Sequence, residues 1–347
     1  DGDTTDCEYF FTAKPTTTEQ VKFFVIGDSG PPWGGTSSTV EQLQVTDKIM
    51  KKEYDFGLHA GDVNQGVGDE YDLIFYQAYK DLLKNAPIFT SIGNHDTYHD
   101  NAQTYLNSFN LPHNNPDSTE RYYSFNYGHA HFIALDTNSP YYPGTAQYEW
   151  LQQDLASEMR SQTMWTFVYF HHPPWSEGWP GYPGEIAVRE YLVPLFEQYN
   201  VDMVFNGHTH DYERGLLNGV YYIITGAGGC SLEPGEQYYD HDHVTVRVCE
   251  FHFTYIRLND KSMELGAINK DGIVIDWVVY DKQIISTVED ESKYSGDGSL
   301  EDFELFCNYP NPFNHSTLIS YRLPHSTHVC VEVYSTLGQK VKTIVSE

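Results

Sequence analysis

From residue 21 the chain alternates short apolar runs with segments of helical spacing, and several of the runs stop at a glycine followed by a polar side chain. VKFFVI, FGLHA, PIFTSI, HFIAL, WTFVYF, VDMVF and VYYIIT read as strands. Between several of them lie STVEQLQVTDKIMKKEY, YDLIFYQAYKDLLKN, AQYEWLQQDLASEM and EIAVREYLVPLFEQY, which read as helices. Pro194 should kink or interrupt the last of these, because it lacks the N–H a helix interior needs. This alternation predicts an α/β fold. After about residue 240 the texture changes to strands joined by turns: VTVRVCEFHFTYIRL, SMELGAIN and, past the Lys270-Asp271-Gly272 turn, IVIDWVVY. The expectation is a mixed sheet with helices outside it and a later antiparallel set.

A chain of 347 residues is long enough for a substantial core in one large domain or two. Residues 21–282 form the expected catalytic region. Residues 283–302 are polar and rich in Ser, Asp and Gly, the composition of a linker. Residues 303–347 alternate apolar and polar around Pro and Gly turns, which predicts a small all-β module that stops unfinished. Residues 1–20 read as an acidic leader or the end of a preceding domain. The opening DGDTTDCEYF is acidic where a signal peptide is basic, so the chain reads as a mature or trimmed form. No stretch has the roughly 18 to 20 consecutive apolar residues of a membrane span.

The balance of 20 basic against 49 acidic side chains gives a net charge of −29. That field repels phosphate backbones and argues against nucleic acid or an anionic membrane as a general partner. A small phosphorylated substrate is still admissible, because bound metal ions invert the field locally. Cys7, Cys230, Cys249, Cys307 and Cys330 show no CxxC pairing, against a zinc knuckle. Cys230 and Cys249 either form a disulfide or are buried thiols.

Five strand candidates end in side chains of metal-ligand type. They are VIGDSG with Asp28, LHAGDV with Asp62, SIGNHD with Asn94, His95 and Asp96, VYFHHPPW with His171 and His172, and VFNGHTHDYER with His208 and His210. Strands of an α/β sheet carry their chemistry beyond their carboxyl ends, so these loops can converge in one crevice. Glycine before Asp28, Asp62, Asn94 and His208 lets the backbone turn sharply and approach a ligand. Two carboxylates, an amide oxygen and three imidazoles suit Zn, Mn or Fe rather than Ca or a thiolate site. They are too many for one ion and about right for two bridged by a carboxylate, the clamp used for in-line displacement at phosphorus.

The ordered series GDSG, GDVNQ, GNHD, VYFH and GHTH resembles the calcineurin-like metallophosphoesterases, and within them the purple acid phosphatase branch, whose signature reads GDxG, GDxxY, GNH, VxxH, GHxH. The resemblance covers residues 21–282 and implies a four-layer α/β/β/α sandwich. It implies a metal-dependent acid phosphatase-like enzyme that hydrolyses phosphate monoesters by attack of a metal-bound hydroxide. By position, Asp28 and His210 would hold the first metal, Asp62 would bridge, and Asn94, His171 and His208 would hold the second. His95 would be the general acid or the donor to the phosphoryl oxygen, with Asp96 as its orienting carboxylate. A phosphodiesterase on nucleotides and a non-catalytic surface protein with a degenerate first metal site are the alternatives.

The chain departs from the family at one ligand. Where the branch keeps the tyrosine that binds ferric iron and gives the colour, this sequence has Gln65. In the wider superfamily a histidine two places after the first aspartate fills that coordination place, but here that position is Gly30. Gln65 either offers its amide oxygen as a weak neutral ligand or faces solvent, and in both cases the chromophore should be absent. His172, Tyr212 and Arg214 are candidates for touching substrate, with Arg214 alternatively paired to a carboxylate. His59 and His99 flank the motifs, His241 and His243 read as surface loop, and Trp33, Trp175 and Trp179 either wall the cleft or pack. Finally, FELFCNYPNPFN through LGQKV is similar to the C-terminal sorting module of the type IX secretion system. That implies export by that machinery and a secreted or surface location in a Gram-negative bacterium.

Overall fold

In a computed structural model of the protein, the described residues are 20–32, 35, 37–65, 71–259, 261–282, 304–305, 321–322, 330–334 and 340–346. The chain opens with β1 (Val21–Ile26), α1 (Val40–Ile49), β2 (Phe56–His59), a π-helical turn (Asp72–Tyr76), α2 (Lys80–Leu83) and β3 (Ile88–Thr90). Next come α3 (Asn94–Thr97), α4 (Gln103–Ser108), β4 (Tyr123–Tyr127), β5 (Ala130–Ala134), α5 (Ala146–Leu155), α6 (Glu158–Ser161) and β6 (Trp165–Tyr169). They are followed by α7 (Ile186–Tyr191), α8 (Val193–Gln198), β7 (Met203–Asn206), β8 (Tyr212–Leu217) and β9 (Val220–Thr225). The strands β10 (Val244–Val248), β11 (His252–Leu258), β12 (Ser262–Asn269) and β13 (Val274–Asp281) close the unit.

These strands make two mixed sheets, ordered β13-β12-β11-β1-β2-β3 and β10-β8-β9-β7-β6-β5-β4. β1, β2 and β3 run parallel in the first, and β5, β6, β7 and β9 run parallel in the second. The sheets face each other through aromatic side chains. The ring of Phe23 on β1 lies 5.2 Å from Phe132 on β5 and 5.3 Å from Phe167 on β6, both edge to face. All three are fully buried, and each such burial stabilises by about 1.5–3 kcal/mol. Outside the second sheet, Ile133, Val168 and Val204 join Trp150 and Leu151 of α5 and Phe196 of α8 in one cluster. Outside the first, α1 lies against β11 and buries Val45 and Ile49. Thr39 caps α1 by accepting the Gln42 N–H, and its hydroxyl donates to Gly229 O. The order of layers is therefore α/β/β/α.

Two local differences from the sequence reading, and the interruption expected at Pro194, have physical reasons. The helix expected over 71–85 is a π turn followed by a short helix; Ile74 and Phe75 are buried there, and Gln42 Nε2 donates to the Ile74 carbonyl. The helix over 185–199 breaks at Leu192, and Pro194 sits in the first turn of α8, where its missing N–H costs nothing. The run over 244–258 is two strands in different sheets, β10 and β11. From Asp281 the chain forms a separate unit. Within it Glu304–Leu305 pairs antiparallel with Tyr321–Arg322, and Cys330–Tyr334 with Lys340–Ser346. Residues 1–19 of the leader, the linker, Trp33 and the YPNPFN run lie outside the described residues.

Candidate metal centre

β1, β2 and β3 of one sheet and β6 and β7 of the other each run into one of the five motifs. Because strands within each set are parallel, their carboxyl ends gather at one edge of the sandwich. The turns are tight. Asp28, Asp62 and His208 have positive φ of 53°, 50° and 71°, a conformation that non-glycine residues adopt at a cost. The backbone is held by cross-loop bonds: Asp28 N–H to Gly61 O at 3.1 Å, Gly207 N–H to His171 O at 3.0 Å, and Cys230 N–H to Asp28 O at 3.0 Å.

The geometry draws together all six side chains expected to hold metal. Asp28 Oδ1 lies 3.4 Å from His210 Nε2, while its Oδ2 accepts the His208 N–H at 2.8 Å. Asp62 Oδ2 lies 3.2 Å from His171 Nε2, and its Oδ1 accepts the His95 N–H at 2.8 Å. Asn94 Oδ1 is 2.9 Å and His208 Nδ1 3.2 Å from that same His171 nitrogen. Donor atoms of Asp28, Asp62 and His171 fall within 4.8 Å of one another, as do those of His171, His172 and His208.

These residues fit a cation. His171 Nδ1 donates to the Ala60 carbonyl at 3.0 Å, so Nε2 is left with a lone pair. That lone pair faces two oxygens and another imidazole nitrogen, an arrangement that repels itself unless something positive sits among the atoms. Burial alone would push His171 down, but the carboxylates of Asp62 and Asp28 raise it to about 9. A proton on His171 answers the same excess of lone pairs that a metal would. Burial also raises Asp28, whose Oδ1 is buried with His210 Nε2 3.4 Å away.

The positions that set this chain apart also have physical causes. Gly30 has φ of +93°, and a Cβ there would meet Ile74 Cγ2 at 2.6 Å, which leaves no space for a histidine. Gln65 is buried, at 2% exposure, so the reading that it faces solvent is corrected. Its Nε2 has no hydrogen-bond partner among the described residues. The nearby Tyr71 donates to Asp96 Oδ1 at 2.8 Å.

Asp96 serves the backbone. It accepts N–H groups of Val63 at 3.2 Å, Asn64 at 3.1 Å and Gly93 at 2.9 Å, which fixes the two acidic loops against each other. Burial pushes it up to about 7. His95 is held below its ordinary value by burial, with its ring Nε2 3.8 Å from Asp62 Oδ2 and its face 4.9 Å from Tyr98. His172 shares Nδ1 with Thr137 Oγ1 at 2.8 Å and packs, tilted, 4.5 Å from His208; burial takes it down to about 3, which keeps it neutral.

Tyr212 and Arg214 do not line the site. They alternate on one face of β8, where the Tyr212 hydroxyl donates to Asp276 at 2.7 Å and the Arg214 guanidinium grips both oxygens of Asp276, at 2.6 and 3.1 Å. The pair ties the second sheet to β13 of the first. Trp175 packs on Tyr222 and His243 at 5.0 and 4.5 Å, and His243 is half-buried rather than on the surface. His59 is buried against Ser29 Oγ at 2.8 Å, and His99 is exposed. Cys230 and Cys249 are free thiols.

The sequence reading missed Ser231 and Glu233. His210 Nδ1 lies 3.3 Å from Ser231 Oγ, and the His210 N–H donates to Glu233 Oε1 at 3.3 Å. The signal was present: β9 ends in TGAGGCS, a glycine-rich turn of the same kind as the other five.

A sequence profile described as "Calcineurin-like phosphoesterase" matches residues 21–212. Purple acid phosphatase 21 of Arabidopsis thaliana is 31% identical over 240 residues, which is 64% of this chain and 53% of the relative. Phosphoenolpyruvate phosphatase of Allium cepa is 29% identical over 221 residues, 59% of this chain and 44% of that one. The chain thus spans about half the length of these curated relatives. Among solved structures, a purple acid phosphatase from yellow lupin seeds superposes with a TM-score of 0.64 at 22% identity, over 77% of this chain and 55% of the other, a likeness of fold.

Proposed function

The chain belongs to the calcineurin-like phosphoesterase family of metal-dependent phosphoric ester hydrolases, and we propose that it hydrolyses phosphate monoesters at the centre around Asp62. One observation carries this reading: the two oxygens of Asp62 divide between the ligand cluster, at His171 Nε2, and the backbone of His95. The same carboxylate thereby sets the distance between the metal-binding atoms and the proton donor.

Two cations, when bound, would supply Lewis acidity toward the phosphoryl oxygens and acidify a water. Asp28 and His210 would hold one, Asn94, His171 and His208 would hold the other, and Asp62 would serve both. Ser231 beside His210 and Ala60 O beside His171 orient the rings. His95 donates a proton to the leaving oxygen or hydrogen-bonds the phosphoryl group. Asp96 is a positioning residue, since it fixes the Gly93 and Val63 backbones on either side of Asp62. Gln65, buried where a phenolate would stand, offers at most a neutral amide oxygen, so an iron-loaded protein is colourless in the visible charge-transfer region. Preference for monoesters is supported by the similarity to phosphoenolpyruvate phosphatase.

Metal-loaded protein assayed on phenyl phosphate and diphenyl phosphate tests the reading. Turnover of the monoester is expected, and His95→Ala should lower it about 10²- to 10⁴-fold with metal content kept. Cleavage of the diester alone would replace the reading with the phosphodiesterase one, and cleavage of neither would sink both.

The proposal extends to location: the tail that resembles a type IX sorting module supports export to the cell surface or beyond. Residues 303–347 fused to a carrier in a bacterium with that system should bring the carrier outside, and retention in the cell would refute it.

A further inference from the structure

Residues 173–185 form a closed strap beside the metal cluster. Its ends are joined by Glu185 N–H to Pro173 O at 2.8 Å, and its legs by Ser176 N–H to Pro183 O at 3.2 Å. Arg189 donates to the carbonyls of both Pro174 and Pro183 and so staples the legs a second time. From beneath, Glu213 accepts the N–H groups of Glu177 at 2.8 Å and Gly178 at 3.0 Å. Gly178 allows this approach, because a Cβ there would meet Asp211 Oδ2 at 2.1 Å. The strap is therefore fixed before any substrate arrives, which spares the ordering cost of binding.

The tip of the strap carries two aromatic rings onto a ligand of the centre. Trp179 lies 4.8 Å from His208 and Tyr182 also lies 4.8 Å from it, with the two rings 5.2 Å apart. Tyr182 braces the indole, which is largely but not fully buried. At another edge of the site Tyr98, 57% exposed, stands 4.9 Å from the ring of His95. Aromatic surface thus adjoins both a metal-binding imidazole and the proton donor, where a bound ester must place its leaving group.

We propose that Trp179, held by the strap and braced by Tyr182, is a specificity-determining residue that selects phosphate monoesters whose leaving group is a flat aryl ring. This rests on the phosphoesterase reading for its chemistry but on binding alone for its test. An aryl leaving group would lie against the accessible part of the indole, with its phosphoryl group held at the centre, and an alkyl group would leave that surface wet. Stacking of this kind is worth a preference of about threefold to tenfold.

The test is calorimetric binding of phenylphosphonate and methylphosphonate, which are not hydrolysed, to metal-loaded wild-type, Trp179→Ala and Trp179→Phe proteins of equal metal content, with phenyl phosphate turnover measured alongside. The wild-type protein should prefer the phenyl compound, Trp179→Ala should lose about threefold to tenfold of that preference, and Trp179→Phe should keep most of it. Equal wild-type affinities, binding of neither phosphonate, an unchanged preference in Trp179→Ala, or a loss in Trp179→Phe as large as in the alanine variant would each overturn the proposal. If the preference behaves as stated and phenyl phosphate is not turned over, the catalytic reading fails while the aryl wall stands.

Discussion

Gly93→Ala should dismantle the metal centre while the sandwich around it stays folded. The backbone at Gly93, φ −97° and ψ 175°, is open to any residue, so the substitution brings no torsional strain. What it brings is a collision: the added Cβ would lie 2.0 Å from Asp62 Oδ1 and 2.1 Å from Asp62 N, where real contacts begin at 3.0 Å. Asp62 or the segment after β3 must therefore retreat by about 1 Å, and a displacement of that size at reacting groups costs about 100-fold in rate. The fold should lose only the 1–3 kcal/mol or so typical of overpacking. Gly144→Ala is the control, since Gly144 has φ of +90° with nothing within 4 Å of an added Cβ. It meets strain without collision and should keep both metal and rate. Elemental analysis, phenyl phosphate turnover and thermal melting read out all three quantities. A Gly93→Ala protein with full metal content and turnover within a few-fold of wild type would refute the reasoning.

Other substitutions probe separate parts of the account. Asp62→Asn keeps the shape and removes the charge that faces His171, so bound metal and turnover should fall together; retained metal with unchanged rate would contradict the bridging role. Gln65→Tyr puts a phenolate at the buried position, and the iron-loaded variant should gain a visible absorption band that Gln65→Phe lacks, at an overpacking cost of about 1–3 kcal/mol. His252 tests the acid limb of stability away from the site. It is buried with Nδ1 donating to Glu250 O at 2.8 Å, and burial holds it down at about 4 against an ordinary 6.5. Its neutral form contributes in full above pH 6.5, and that contribution is lost as pH falls toward 4, a change of about 3 kcal/mol. In urea titrations between pH 8 and 4, His252→Asn should flatten this part of the slope, and parallel slopes would argue against it.

The clustering of these side chains was legible because each follows a strand that reads unmistakably from its apolar run, as Asp28 follows VKFFVI and His171 follows WTFVYF. Parallel strands then gather their carboxyl ends with no further information. Tyr212 and the substrate role weighed for Arg214 failed for the converse reason, while the carboxylate pairing weighed for Arg214 is the one found. Four residues of HDYER look like a continuation of the histidine loop, yet their alternation places Tyr212 and Arg214 on one face of β8, where a partner 62 residues away in sequence from Arg214, Asp276, satisfies both. Long-range pairing of that sort leaves no local trace. The burial of Gln65 was equally hidden, since it depends on which surfaces cover the loop rather than on the loop itself. The bracing of Trp179 on His208 depends in the same way on a strap closed by Glu213 and Arg189, residues whose roles only the fold discloses.

The central claim is that these loops hold a pair of cations rather than one, despite Gly30 and Gln65 at the first site. Elemental analysis of protein saturated with metal and freed of excess measures this directly. Two ions per chain are expected, and one ion or none would refute a paired site.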